Sequence, residues 1–238
     1  MNTGRSKAKV QEAKTVVIRT NAGLIEPSPK EKLLGCWVTS DLKWSDHLRD
    51  NHESLIRSLN TKLGALKIIG KIASFKTRKM LANGIFLSKL SNLIALWGGC
   101  GLVLRKSLQV IQNKVARTVT KLDWSTPTSE LLRQMGWLSV NLLVFYHSAL
   151  LMYKVKQSKQ PKYLYNMFTW SSNYTTRQTD TGTVKVVGKP RLDVTKNSFR
   201  YRAAQQFNQL PPEIRNSSSK DSFKINVKKW IREHVPIS

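Results

Sequence analysis

Acidic residues are scarce in this 238-residue chain. Only 14 Asp and Glu face 40 Lys and Arg, leaving a formal net charge of +26 and a pI near 10.4. No two of the 14 are adjacent in sequence. That absence removes the paired carboxylates that would hold two divalent metals for phosphoryl chemistry. There are four histidines (His47, His52, His147, His234), and no two stand at H-x-x-x-H spacing. No Gly-rich phosphate loop and no G-x-S-x-G elbow occur. Two cysteines, Cys36 and Cys100, lie far apart without metal-ligand spacing, so two reduced buried thiols are expected. Residues 1–14 carry basic side chains but no apolar block follows them, and no secretory leader is expected. Two segments approach spanning length, 85–104 and 136–155. The first holds Lys89, which costs about 2.5–3.5 kcal/mol at mid-bilayer, and breaks at Gly98-Gly99; the second contains Asn141 and His147. Both read as buried helices, and no membrane partner is expected.

What is present is positive charge on an ordinary apolar content of 40%, enough for a packed core. A charge of this size favours a polyanionic partner, and nucleic acid is the first candidate. No cofactor and no metal site are expected. The one acidic cluster, Asp46, Asp50 and Glu53, reads as a solvated helix start, with Glu53 and Arg57 as an i,i+4 pair.

Along the chain, "KTVVIRT" (14–20) and "KLLGCWVTS" (32–40) read as two strands. They flank the loop "NAGLIEPSP" (21–29) and form one antiparallel hairpin. A helix capped by Ser45 follows, with Leu48, His52, Leu55, Leu59, Leu63 and Leu66 on one stripe and Gly70 at its end. A second helix spans about 74–96, with Met80, Leu87, Leu90 and Ile94 inward. A third spans about 104–122 with Leu104, Leu108, Ile111, Val115, Val119 and Leu122 inward. A short helix capped by Ser125, Thr126 or Thr128 and closed by Gly136 precedes an apolar helix over 140–156. The polar stretch 156–163 reads as a boundary. Beyond it, 183–194 suggests two short strands around Gly188-Lys189-Pro190. A helix over 197–215 is stopped by Pro211-Pro212, and a last helix is capped by Ser218 or Ser219. On that last helix Phe223, Val227, Trp230 and His234 share one face. The fold class expected is mainly α. An N-terminal β-hairpin (1–44) leads into a helical bundle (45–156), followed by a small α+β C-terminal region (157–238).

Three basic faces emerge. Lys106, Lys114, Arg117 and Lys121, with Asn113 beside them, lie off the apolar stripe of the third helix. Cations at helical spacing can follow a phosphate backbone without reading sequence. In "FRYR" (199–202), Phe199 or Tyr201 can stack on a base while Arg200 and Arg202 meet phosphates. Lys224, Lys228, Lys229 and Arg232 form the third face, on the last helix.

The order of motifs resembles the C-terminal part of reverse transcriptases from jockey-like non-LTR retrotransposons. It is carried by "AKT" (13–15), "KLLGCWVTSDLKWSDHL" (32–48), "LWGG" (96–99), "IQNKVARTV" (111–119), "YTTRQ" (174–178) and "SFRYRAAQQFNQLPPEIRNSSSKDSFKINVKKW" (198–230). The match departs from the family at Phe207, where Trp is usual, and at Cys36, which interrupts an aliphatic run. The resemblance implies that Leu34, Gly35, Cys36 and Trp37 grip a primer strand and that the following helices form a thumb closing on template–primer duplex. It makes Lys14 the counterpart of a lysine proposed to protonate pyrophosphate. It also implies a nuclear, intracellular site of action. The family's catalytic Asp-Asp pair, with its magnesium, belongs to a palm that precedes the matched region. The chain is therefore expected to be no polymerase by itself, with a nucleic-acid duplex and a separate palm domain as partners. Two other readings stay open: a decayed open reading frame without function, and a membrane-associated basic helical protein.

Overall fold

The computed structural model describes residues 17–21, 23–41, 43–170, 182–186, 190 and 193–235. The chain divides into two compact units, Met1–Ser54 and Leu55–Ser238. The protein is mainly α, and among the described residues its strands lie in the N-terminal region.

The first unit holds two tight hairpins, where the sequence suggested one with a long connection. Strand β1 (Ile18–Thr20) pairs antiparallel with β2 (Gly23–Ile25), and β3 (Lys30–Leu33) pairs with β4 (Cys36–Thr39). The reason lies at Leu34-Gly35, with φ of 50° and 80°. Two successive positive φ values make a turn that reverses the chain within two residues, and glycine at the second position permits it. "KLLGCWVTS" is thus two strands and their turn. A single π-helical turn (Asp46–Asp50) follows. Ser45 is itself helical (φ −60°, ψ −44°) and makes no side-chain cap, contrary to the sequence expectation. Asn51 then leaves the helix, and its Oδ1 accepts the Glu53 N–H at 3.0 Å. This side-chain turn competes with helix continuation, so Leu48 and the stripe from Leu55 onward belong to separate elements and His52 is exposed.

The second unit is helical. Helix α1 (Leu55–Ile69) buries Leu55, Leu59, Leu63 and Leu66 and ends at Gly70. Helix α2 (Phe75–Leu81) is capped by Ser74, whose side chain accepts the Thr77 N–H. It runs into a π segment (Ala82–Leu87) and a last turn, α3 (Ser88–Ser91). The buried positions fall four apart, at Arg78, Ala82, Phe86, Leu90 and Ile94. Met80, expected inward, lies off this row and is exposed, and Leu87 is only half-buried. Leu93 adopts a left-handed conformation (φ 53°) and redirects the chain into α4 (Ile94–Trp97).

Helix α5 (Leu102–Thr120) lies along α1 and α6 (Thr128–Met135). Gly136 (φ 68°) closes α6 with its N–H on the Leu132 and Arg133 carbonyls; none of Ser125, Thr126 and Thr128 caps that helix. Helix α7 (Val140–Ser158) starts at Ser139, which accepts the Leu142 N–H, and is the central element. It packs against α4, α5, α10 (Phe199–Gln209) and α12 (Lys220–His234). Short helices α8 (Lys162–Tyr165), α9 (Asp193–Asn197) and α11 (Pro212–Arg215) complete the chain. The polar stretch 156–163 is the end of α7 and the turn into α8.

No strand occurs among the described residues of 183–194. Val184 forms only an isolated bridge with Trp170, and its peptide is clasped by the Asn208 side chain, which accepts from Val184 N at 2.9 Å and donates to Val184 O at 2.7 Å. A side-chain amide thus satisfies the groups a partner strand would have taken. Around this clasp sits an aromatic cluster: Phe168, Trp170, Phe199, Phe207, Phe223 and Tyr153. Tyr153 stacks on Phe223 at 4.1 Å and donates its hydroxyl to Ser217 O.

The two glycines of "LWGG" are required by close approach. A Cβ on Gly98 would lie 2.5 Å from the Ile94 carbonyl and 2.6 Å from Val144 Cγ1; one on Gly99 would overlap the Asn197 carbonyl of α9.

Candidate nucleic-acid interface

The two units carry very different charge. Residues 1–54 hold 9 Lys and Arg against 7 Asp and Glu; residues 55–238 hold 31 against 7, a net of +24. From Ser54 to Leu122 there are 13 Lys and Arg and no carboxylate at all. Helices α1 to α5 therefore have no acidic residue of their own to pair with.

On α5 Leu108, Ile111, Val115 and Val119 are buried as expected while Leu104 and Leu122 are only half-buried, and Lys106, Lys114 and Lys121 lie exposed. Lys106 and Lys114 are eight residues apart, about 12 Å along the axis. Lys121 caps the helix in a left-handed conformation (φ 58°). The other two candidates on this face are engaged internally. Arg117 donates from Nη2 to the Trp124 and Thr126 carbonyls at 3.1 and 3.2 Å, and Asn113 donates to Thr128 Oγ1 while accepting from Gln109. They fasten the α5–α6 connection and leave three lysines for a ligand.

In "FRYR" the four side chains separate. Ser198 caps α10 by accepting the Tyr201 N–H. Arg200 is exposed and Tyr201 half-buried, while Phe199 packs edge-on against Phe168. Arg202, expected to meet phosphate, points inward: Nη2 donates to Ala95 O at 2.6 Å and Nη1 to Ser148 Oγ at 3.1 Å. Burial, with Arg105 nearby, pushes its pKa down to about 10. It joins α4, α7 and α10.

On α12, Phe223, Val227 and Ile231 are buried, with Trp230 half-buried against Phe145 and His234 exposed and stacked on Trp230. The cap is Ser219. Lys224 pairs with Asp221 at 2.8 Å, which raises its pKa. Lys228 is shifted down, first by burial and then by repulsion from Arg232. Arg232 donates to Gly136 O at 3.0 Å, and Lys229 is exposed. Cations crowded enough to repel one another mark a surface where an anion would relieve the field.

The hairpin residues split between tip and interior. Leu34 and Gly35 form the exposed β3–β4 turn, and Leu34 is 93% exposed. Cys36 is buried, and burial pushes its thiol pKa up. Trp37 stands opposite Lys32 in register, with the Lys30 and Lys32 Nζ atoms 5.9 and 5.7 Å from its ring. Its amide donates to His47 Nδ1 at 3.4 Å. Lys14 lies outside the described residues.

Asp46, Asp50 and Glu53 pair with Lys30, Arg49 and Lys32, so the Glu53 carboxylate is held by the hairpin. Among the described residues no three His, Cys, Asp or Glu side chains converge on a metal position. This donor set does not fit the magnesium pair that the resemblance would assign to a complete polymerase. Cys36 and Cys100 are both unpaired and buried, and burial raises the Cys100 pKa to about 11. Among the described residues no single helix is long and apolar enough to cross a membrane; α6 with α7 would pass only as a pair bent by 46°.

Sequence reasoning missed the structural arginines. Arg78 is buried, with Nε on Val119 O at 2.8 Å and Nη1 on Ala73 O at 2.7 Å. Nothing in the local pattern separates such an arginine from a surface one; only the carbonyls it meets in three dimensions do.

No protein-family model, no curated protein and no solved structure matches this chain.

Proposed function

We propose that this chain binds nucleic acid without sequence preference, gripping the phosphate backbone of a duplex through cationic helix faces. The role is that of the primer-gripping and thumb-like C-terminal part of a jockey-like non-LTR reverse transcriptase. The observation that carries the reading is the acid-free run 54–122, which ends in Lys106, Lys114 and Lys121 exposed along one side of α5. Such a face draws no carboxylate from helices α1 to α5, and a polyanion supplies counter-charge while releasing counterions. The sequence offers no adjacent acidic pair, so this reading gives the chain no polymerase chemistry of its own. Nucleotide addition would fall to a separate palm domain.

The test is a salt titration of binding to an RNA–DNA duplex and to a DNA duplex of unrelated sequence. Affinity falls steeply as salt rises, with similar slopes for both. Replacing Lys106, Lys114 and Lys121 together by Gln lowers the log–log slope by about three, roughly one per phosphate contact. A flat titration, or a slope unchanged in the triple variant, overturns the reading.

A further inference from the structure

A half-enclosed cavity of about 350 Å³ lies at the start of α10, a volume within the range of about 300–1,000 Å³ typical of small-molecule sites. Its wall joins three kinds of surface. Met167, Phe168 and Ala204 are apolar, Tyr201 is aromatic, and Lys185 and Arg200 are cationic. The Tyr201 hydroxyl accepts from Gln205 Nε2 at 3.0 Å, which restrains the outer end of the ring. Arg200 is exposed, while Phe168 and Ala204 are buried. Among the described residues no carboxylate lines the cavity.

We infer that this cavity accepts one unpaired nucleobase, with the phosphates flanking that base held by Arg200 and Lys185. The inference rests on the nucleic-acid reading above and adds a second kind of ligand to it, a single strand or a frayed end. The chemistry selects the ligand class. A purely apolar ligand would desolvate Arg200 and give it no counter-charge. A cationic ligand would meet like charge. A nucleotide brings a flat π-surface for the aromatic wall and anionic oxygens for the rim. A base inside a duplex is stacked and paired and cannot enter, so the ligand is a base already out of the helix.

Fluorescence anisotropy with the full chain tests this, using a labelled oligothymidylate and an abasic sugar–phosphate strand of equal length. The base-bearing strand binds about tenfold more tightly than the abasic one. Tyr201→Ala erases that preference and leaves abasic binding unchanged. Tyr201→Phe keeps the preference because the ring is retained, and its melting curve, with that of Tyr201→Ala, verifies that both variants fold. Equal, salt-sensitive binding of both strands by the parent chain overturns the base pocket and leaves the polyanion reading standing. A preference that survives Tyr201→Ala overturns the assignment to this cavity. Failure of both strands to bind at low salt overturns the inference together with the reading beneath it.

Discussion

Gly98→Ala is expected to destabilise the helical unit through one added methyl group. That carbon would sit 2.6 and 2.7 Å from the two Val144 methyls and 2.5 Å from the Ile94 carbonyl. Val144 is 1% exposed in the central helix, so its methyls cannot swing out to solvent. The Ile94 carbonyl already accepts the Gly98 N–H at 2.9 Å, so moving it away stretches that bond. Overpacking of this kind costs about 1–3 kcal/mol, and a weakened hydrogen bond adds about 1. Loss of glycine freedom in the unfolded chain returns up to about 1. The net is about 1–3 kcal/mol, a fall in Tm of roughly 2–12 °C for a protein of this size. Urea unfolding followed by far-UV circular dichroism measures it. Val144→Ala alone costs about 2 kcal/mol from lost burial and the cavity left behind. In the double variant the offending methyls are gone, so the combined loss is smaller than the sum by at least about 1 kcal/mol. A Gly98→Ala protein within about 0.5 kcal/mol of the parent, or strict additivity in the cycle, would refute the steric account.

Two further outcomes follow from single side chains. Arg117→Ala leaves the Trp124 and Thr126 carbonyls without their donor; about 1.5–3 kcal/mol is lost from a charged hydrogen-bonding group, and amide exchange in 123–127 rises. The His147 pKa is lowered from 6.5 by burial, so the folded state resists the proton that the unfolded chain accepts. Stability is then full above the unfolded value and declines as pH falls below about 6.5 toward the lowered folded value; His147→Gln flattens that part of the profile in urea titrations, and an unchanged decline would show that another group is responsible.

The helical content was legible because apolar stripes at three- and four-residue spacing survive in the fold. Leu108, Ile111, Val115 and Val119 are all buried. The Ser74, Ser139, Ser198 and Ser219 caps and the Gly136 terminus are local signals, and local signals are what a sequence displays. The hairpins were harder. Leu at the first turn position hid a reversal that Asn would have announced, so two strands read as one. Met80 read as inward because the buried row begins at Arg78, whose guanidinium is taken up by the Val119 and Ala73 carbonyls, and a charged residue hides such a row from an apolar pattern. Around Val184, β-branched residues suggested strands, but the peptide found its partner in Asn208, 24 positions away. For the candidate interface, periodicity placed Lys106, Lys114 and Lys121 outward correctly. It could not separate Arg200 from Arg202, since the second is claimed by a carbonyl on α4 that is distant in sequence.

The run from Ser54 to Leu122 contains no Asp, Glu, His or Tyr, and its only weakly acidic side chain is Cys100, whose proton is held to about pH 11. Acidifying or alkalinising the surroundings across the range in which cells live therefore leaves its charge untouched. Whatever adheres to that surface is detached by competing ions and never by protons.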